Sequence, residues 1–124
     1  MLSRSLAALA LLAATAGALA QAPADFPVDA KSLAAEMLQQ RISGKSFGVK
    51  PAKGAAWKLQ YEAGGSFSLK TASGYEDTGK WRIEGSQLCT EPSKTRAACN
   101  EMRLVGDALF MKRDSGEIVK FEPN

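Results

Sequence analysis

Residues 79–89, GKWRIEGSQLC, contain two short runs that alternate apolar and polar side chains, joined by Gly85-Ser86. Alternation with a period of two is typical of β-strands with one buried face, and a glycine-serine pair between two such runs indicates a tight turn. Trp81 and Ile83 lie on one face of the first run, and Leu88 continues that face after the turn. These residues therefore predict an antiparallel hairpin with one face in the core and Cys89 on the other face.

The same period continues on both sides of this hairpin and predicts a sheet. Turn signals rich in glycine, proline and aspartate separate the predicted strands, which lie near 45–50, 56–62, 66–71, 78–84, 87–91, 98–104, 108–113 and 117–122. Hairpin-sized connections indicate an antiparallel meander, and a meander of seven or eight strands tends to close because closure removes exposed edges. We predict a mainly β fold, in which an N-terminal α-helix precedes a small antiparallel up-and-down β-barrel of seven or eight strands.

The helix is predicted over residues 30–43, with Asp29 as its N-cap and Gly44 after its end. Its apolar stripe consists of Leu33, Met37, Leu38 and Ile42. The last two predicted strands carry apolar side chains on both faces, so their outer face needs a cover. We expect the helix to provide that cover.

The first 20 residues have the features of a secretory signal peptide. Arg4 precedes an apolar run over residues 6–16, and Ala18-Leu19-Ala20 matches a cleavage site of the A-x-A type. The interpretation that follows is a signal peptide over residues 1–20, a flexible lead-in over 21–28 and a single helix-plus-barrel domain over 29–124. We expect an alanine-rich signal of this kind to export a bacterial protein to the periplasm or the medium, without stable membrane insertion after cleavage.

The two cysteines, Cys89 and Cys99, are predicted to form a disulfide bond, as paired cysteines in small exported domains usually do. Met102 and Leu104 are assigned to the inner face, which places Cys99 on the outer face together with Cys89. Cysteines on the same face of adjacent strands can be bridged without moving the backbone. With nine residues between them they do not form a CxxC redox motif.

Catalytic, metal and cofactor sites are not expected. The chain has no histidine, which excludes Ser-His-Asp and Cys-His pairs and removes the commonest metal ligand. The neighbouring carboxylates, Glu76 with Asp77 and Glu84 with Glu91, fall at turns or on the outer face. We therefore predict that the protein is not an enzyme and uses no cofactor. Sixteen basic and thirteen acidic residues are interspersed, so a nucleic-acid partner is not expected either.

The inside of the barrel is the candidate binding site. Trp57, Tyr61, Phe67 and Trp81 fall on the inner face and could line a cavity for a small apolar ligand. An eight-stranded barrel is either filled by its own side chains or holds one small ligand. The short strands favour the filled core, and the cavity is the alternative.

The GKWRIEGSQLC segment is followed by a second cysteine, by Met102-Arg103-Leu104, by Gly106-Asp107 and by the residues DSGE at 114–117. With these residues the chain resembles a class of small exported proteobacterial domains of unknown function over residues 44–121. The resemblance implies a lipocalin-like antiparallel barrel and an exported location, and it implies no activity.

The combined expectation is an exported envelope protein that acts as a non-catalytic binding or interaction module. One alternative is an inhibitor or stress-related protein that acts on an envelope partner, and another is a carrier of a small apolar ligand. The expected partners are an envelope protein or a small apolar molecule, and the expected state is a monomer. The net charge of +3 argues against an inhibitor of lysozymes, because those enzymes are themselves basic.

Overall fold

The computed structural model describes residues 25–124. The predicted signal peptide and the start of the predicted lead-in lie outside this range. The described part contains one helix and nine strands, in the order β1 (Lys31–Ser32), α1 (Ala35–Ile42), β2 (Lys45–Val49), β3 (Trp57–Tyr61), β4 (Ser66–Thr71), β5 (Glu76–Glu84), β6 (Gln87–Pro92), β7 (Ala98–Val105), β8 (Ala108–Lys112) and β9 (Ile118–Pro123).

Strands β2 to β9 form a closed antiparallel barrel of eight strands, which confirms the predicted fold class. Each strand pairs with the next along the chain, and β9 returns to pair with β2. The eight strands begin and end within two residues of the predicted ranges. This agreement follows from the alternating pattern, because one side of every strand faces the interior.

The additional strand β1 extends the sheet on the outside of the eight-strand ring. Lys31 pairs with Leu104 and Ser32 with Arg103, beyond the point where β6 stops pairing with β7. Upstream of β1, the ring of Phe26 lies 4.9 Å from the guanidinium carbon of Arg103, and Phe26 is buried. Residues 25–32 thus run along the outer face of the barrel at β7.

The helix is shorter than predicted. It begins at Ala35 instead of residue 30, and its N-cap is Ala34, which makes no side-chain hydrogen bond, so the prediction of Asp29 as the cap was wrong. Residues 31 and 32 form β1 instead, because β7 offers them backbone hydrogen-bond partners. This pairing joins residues that are far apart in the sequence, so a local helical pattern could not predict it.

The helix also lies in a different place from the one predicted. It packs against β2 and β5 at one end of the barrel, not on the outer face of the last two strands. Leu38 and Ile42 are completely buried and belong to the same apolar cluster as the barrel interior. Two residues, Ser43 and Gly44, separate α1 from β2, and so short a link keeps the helix at the end where β2 begins. We call this the helix end and the opposite end the mouth.

An aromatic cluster fills the barrel near the helix end. The ring of Tyr61 lies 5.7 to 6.3 Å from the rings of Trp81, Phe47, Phe67 and Phe121. The inward position next to Phe67 is occupied by Gly79, where a Cβ atom would lie 2.8 Å from the Phe67 ring. The same Cβ atom would collide with the backbone carbonyl of Glu91 on β6, so a glycine is required at this point of β5.

Candidate ligand-binding cavity

The barrel is filled at the helix end and hollow toward the mouth. The hollow part is a cavity of about 260 Å³, formed by side chains from five strands and by the residue that follows β8. The lining consists of Trp57, Leu59, Tyr61, Phe67, Leu69, Leu88, Thr90, Pro92, Asn100, Met111 and Arg113. Seven of these eleven residues have apolar or aromatic side chains other than proline, so the wall is mainly apolar.

Three apolar residues of the cavity wall keep accessible surface. Trp57, Leu69 and Met111 point inward and pack against the core, yet each is only half-buried. Leu59 and Leu88, which also line the cavity, are buried. The wall of the cavity is therefore accessible mainly at these three side chains.

Three of the four residues that the sequence predicted to line a ligand cavity lie together in its wall. Trp57, Tyr61 and Phe67 line the cavity. Trp81 does not, because its indole N–H donates a hydrogen bond to the carbonyl of Glu62, 2.8 Å away, and its ring packs edge-on against Tyr61 within the aromatic cluster.

Sequence reasoning missed the polar members of the lining, Asn100 and Arg113. Arg113 follows β8 and has the same parity as the inward residues Leu109 and Met111, so the alternation contained a signal for it. Asn100 has the parity of the inward residue Met102. Both were overlooked because polar side chains are normally assigned to the solvent face.

Arg113 and Glu117 connect two loops at the mouth. The Arg113 guanidinium lies over the Trp57 ring, with 4.6 Å between its central carbon and the ring centroid. Its Nη1 donates to Glu117 Oε1 at 2.6 Å, and Glu117 Oε2 accepts a hydrogen bond from the backbone N–H of Ala52 at 2.8 Å. The hydrogen bond from Ala52 and the pairing with Arg113 hold the pKa of Glu117 below its usual value, so this connection is charged at neutral pH.

Asn100 is held against the wall by two hydrogen bonds. Its Nδ2 donates to the carbonyl of Lys112 at 3.1 Å and to Oδ1 of Asp114 at 3.0 Å. Since both bonds use the amide nitrogen, the side chain is fixed in orientation.

Tyr61 forms the floor of the cavity. It is 2% exposed, and burial raises the pKa of its hydroxyl, so the group stays neutral over the ordinary pH range. Within residues 25–124 its hydroxyl makes no hydrogen bond to another residue, although every fully buried side-chain nitrogen or oxygen in this range has a partner. The hydroxyl therefore keeps a small accessible surface. Tyr61 as a residue borders the cavity.

The cysteines lie outside this site. Cys89 and Cys99 are directly opposite each other on β6 and β7 and form a disulfide bond, which confirms the predicted pairing. Their sulfurs lie 3.7 and 4.0 Å from Oε2 of Glu84, and Cys89 is completely buried although it faces outward. Sulfurs that are joined in a disulfide lack the thiolate charge that a metal ligand needs, so this cluster is structural.

Two grooves on the outside enclose larger volumes, about 610 and 740 Å³. The first is bordered by the exposed lysines Lys50, Lys58 and Lys70, and the second by Arg41, Lys45 and Lys120 among others. Both lie along the barrel surface near the contact between β2 and β9. The interior cavity is smaller, but its wall is the more apolar and is built mainly from inward-facing side chains, and it is therefore the stronger candidate site.

Comparison of the chain with protein-family models, with curated proteins and with solved structures gives no match. Within residues 25–124, the single helix is far too short to cross a membrane.

Proposed function

We propose that this protein is a non-catalytic binding module of the bacterial cell envelope that holds one small, largely apolar molecule inside its barrel. The observation that carries this proposal is the cavity at the mouth, whose wall is mainly apolar and includes the half-buried side chains of Trp57, Leu69 and Met111. Contact with an apolar molecule would remove this surface from water and stabilise the complex by the hydrophobic effect.

The volume of the cavity limits the size of the ligand. Ligand pockets usually measure about 300–1,000 Å³, so a cavity of about 260 Å³ is close to the lower limit. An apolar cavity of about 150 Å³ in another protein binds benzene, which has six carbon atoms. By proportion, the cavity described here takes a molecule of about ten carbon atoms.

The titratable groups at the cavity favour binding over catalysis. In the described part of the chain these are a phenol kept neutral by burial, a guanidinium that is always charged, and the carboxylate of Glu117, whose pKa is lowered. A general acid or base works best with a pKa near the working pH, and these three groups do not meet that condition.

Membership of the exported lipocalin-like class is part of the same proposal. The closed eight-stranded barrel is compatible with a lipocalin-like fold, and the Cys89–Cys99 disulfide is compatible with an oxidising compartment. Residues 1–20 supply the sequence pattern of an export signal. We propose on this basis that the mature protein begins at Gln21 and works in the periplasm or outside the cell.

The proposal is tested by filling the cavity. Leu69→Trp adds bulk to the inner face of β4, whereas Ser68→Trp places the same side chain on the outer face and is the matched control. Binding of 1-octanol, measured by NMR titration, should be lost in the first variant and retained in the second. Native mass spectrometry of protein isolated from its own compartment should then show a retained small molecule in the control only. Octanol binding that is equally strong in both variants would contradict an interior site.

A further inference from the structure

We infer that the ligand is an amphipathic carboxylate, with an apolar chain of about ten carbons or fewer in the cavity and the carboxylate at Arg113 in the mouth. This inference rests on the proposed function and adds the chemical class of the ligand. It is argued from the position of Arg113, from the distribution of charge over the two ends of the barrel and from the polarity of the cavity floor.

Arg113 is a cation in the wall of an otherwise apolar cavity. It is held in place from two sides, by stacking on Trp57 and by the hydrogen bond from Nη1 to Glu117. This bond leaves Nε and Nη2, which carry three N–H donors and make no other hydrogen bond within residues 25–124. A guanidinium fixed in this way presents donors in the geometry that suits the two oxygens of a carboxylate.

Glu117 neutralises part of the Arg113 charge, so the surroundings of the pair decide which ligand charge is favoured. The four loops at the mouth, residues 50–56, 72–75, 93–97 and 113–117, carry two acidic side chains, Asp114 and Glu117. Their five basic side chains are Lys50, Lys53, Lys94, Arg96 and Arg113. The connections at the helix end, residues 43–44, 62–65, 85–86 and 106–107, carry Glu62 and Asp107 and no basic side chain. Glu36, Arg41 and Lys45 beside these connections bring the helix end close to neutral, so the excess of positive charge lies at the open end.

The carboxylates next to the mouth on the strands themselves are already compensated. Asp77 points inward on β5, but its oxygens accept hydrogen bonds from the backbone N–H groups of Thr78, Ser93 and Lys94. Glu76 lies 4.0 Å from the Lys70 amine. Hydrogen bonds leave the charge of Asp77 in place, but Lys58 and Lys70 at the mouth ends of β3 and β4 equal Glu76 and Asp77 in number. The positive loops therefore dominate the field that an entering ligand meets, and such a field attracts anions.

The floor of the cavity does not suit a charged group. It is formed by Tyr61 and Phe67 and is backed by the aromatic cluster, where the Tyr61 hydroxyl is a neutral donor. Burial of a carboxylate there would remove its hydration without supplying a counter-charge, which is costly. The apolar chain therefore enters first and the carboxylate stays at the mouth.

The experiment compares octanoate with 1-octanol, which differ mainly in the head group, by NMR titration or calorimetry near pH 7 and at low salt. Octanoate should bind about tenfold more tightly than octanol to the wild-type protein. Arg113→Gln should abolish this difference while octanol binding persists, and Arg113→Lys should retain part of it. Tyr61→Phe should keep the octanoate preference, since Tyr61 lies at the helix end of β3 and Arg113 lies at the mouth. Among longer carboxylates, affinity should stop rising near about ten carbons.

Each contrary result has a distinct meaning. Equal binding of octanol and octanoate by the wild-type protein would overturn this inference and leave the proposed function intact. An octanoate preference that survives Arg113→Gln, or one that disappears in Tyr61→Phe, would place the head group elsewhere and also overturn it. Absence of binding by both compounds would overturn the proposed function together with the inference.

Lys58→Gln, on the outer face of β3, controls for a general loss of positive charge. If Arg113→Gln does not fold, judged by circular dichroism, Arg113→Lys and the salt dependence of octanoate binding supply the same test.

Discussion

Trp81 shows how one side chain combines apolar packing with a hydrogen bond. Its ring is buried against Tyr61, and its indole N–H donates to the Glu62 carbonyl. We expect Trp81→Ala to lower the free energy of unfolding by about 3–5 kcal/mol, measured by urea denaturation. Tyr75→Ala removes an aromatic ring that is 39% exposed and is the control, for which the change should be small. Equal effects of the two substitutions would mean that Trp81 is not part of the core.

Asp77 gives the barrel a predictable dependence on pH. Its burial alone would raise the pKa, but the backbone N–H groups of Lys94, Thr78 and Ser93 outweigh this effect and hold the pKa below the usual value. A carboxyl group with a lower pKa in the folded state binds fewer protons there than in the unfolded chain. Its contribution to stability is therefore complete above the unfolded pKa of about 4 and is lost as the pH falls through the folded value.

We expect Asp77→Asn to be less stable than the wild type at pH 7, with a difference that shrinks below about pH 4. Thermal melts from pH 7 to pH 2.5 measure this. The exposed Asp29→Asn is the control, since Asp29 makes no side-chain hydrogen bond in the described part of the chain. A constant difference between Asp77→Asn and wild type over the whole range would contradict the assignment.

Parity along the strands was sufficient to predict that Trp57, Tyr61 and Phe67 lie on the same inner face, because side-chain direction in a strand depends only on position. It could not separate these residues from Trp81. Depth along the barrel axis depends on how the strands are staggered and on which end the helix closes. Both of these are set by contacts between distant residues, such as Leu38 and Ile42 with the barrel interior.

At the scale of elements, the β6–β7 hairpin is tied by the Cys89–Cys99 disulfide on its outer face. We expect the double variant Cys89→Ser/Cys99→Ser to fold and to lose about 3 kcal/mol of stability, the contribution of closing a loop of this length in the unfolded chain. Alkylation before reduction should label no cysteine in wild-type protein collected from the periplasm or the medium. Octanol binding should be unchanged in the folded variant, because the disulfide faces away from the cavity. If the variant is completely folded but no longer binds octanol, the disulfide supports the binding site.

The helix closes one end of the barrel through the buried side of a short stripe. Ile42 is completely buried, whereas Met37 on the same helix is 52% exposed. We expect Ile42→Ala to cost about 2–5 kcal/mol in chemical denaturation and to increase binding of a hydrophobic dye as the helix end loosens. Met37→Ala is the matched control, with an expected change within about 0.5 kcal/mol. Similar destabilisation by both would indicate that the helix packs through a different face.

The strands were predictable to within two residues, but the start and the location of the helix were not. Alternation over five or more residues is a local signal, and every barrel strand shows it because each has one inner face. The pairing of Lys31 with Leu104 is not local, and it replaces the first turn of the predicted helix. The helix was predicted to cover the outer face of the last two strands, but it packs at one end of the barrel, and on the outside Phe26 packs on the Arg103 side chain of β7. Short apolar segments outside a regular pattern are difficult to place from sequence alone.

The whole molecule is a barrel with two unlike ends. The helix end is sealed by Leu38, Ile42 and the aromatic cluster, and its connecting loops are acidic. The mouth has longer loops, a basic surface and the cavity. The two ends are joined by Tyr61 and Phe67, which belong to the aromatic cluster and also form the floor of the cavity, so the core supports the site directly.

The weakest closure of the ring is the contact between β2 and β9. Two residue pairs join these strands, Phe47 with Pro123 and Gly48 with Glu122, whereas β5 and β6 share six. Toward the mouth the two strands pair no further, and the hydrogen bond from the Ala52 N–H to Glu117 connects the loop after β2 to the turn before β9. Local opening involves the elements with the fewest contacts, so the ring should open first at this contact.

Native-state hydrogen exchange followed by NMR can measure this opening. We expect amides of β2 that face β9 to exchange faster than those between β5 and β6. Glu117→Gln should accelerate them further without affecting β5 and β6, because it removes the charge from the acceptor that holds Ala52. Glu122→Gln, on the exposed side of β9, is the control and should change neither region. Uniform exchange over all eight strands, or equal acceleration by the two substitutions, would mean that the barrel opens as one unit and that Glu117 does not hold the ring closed.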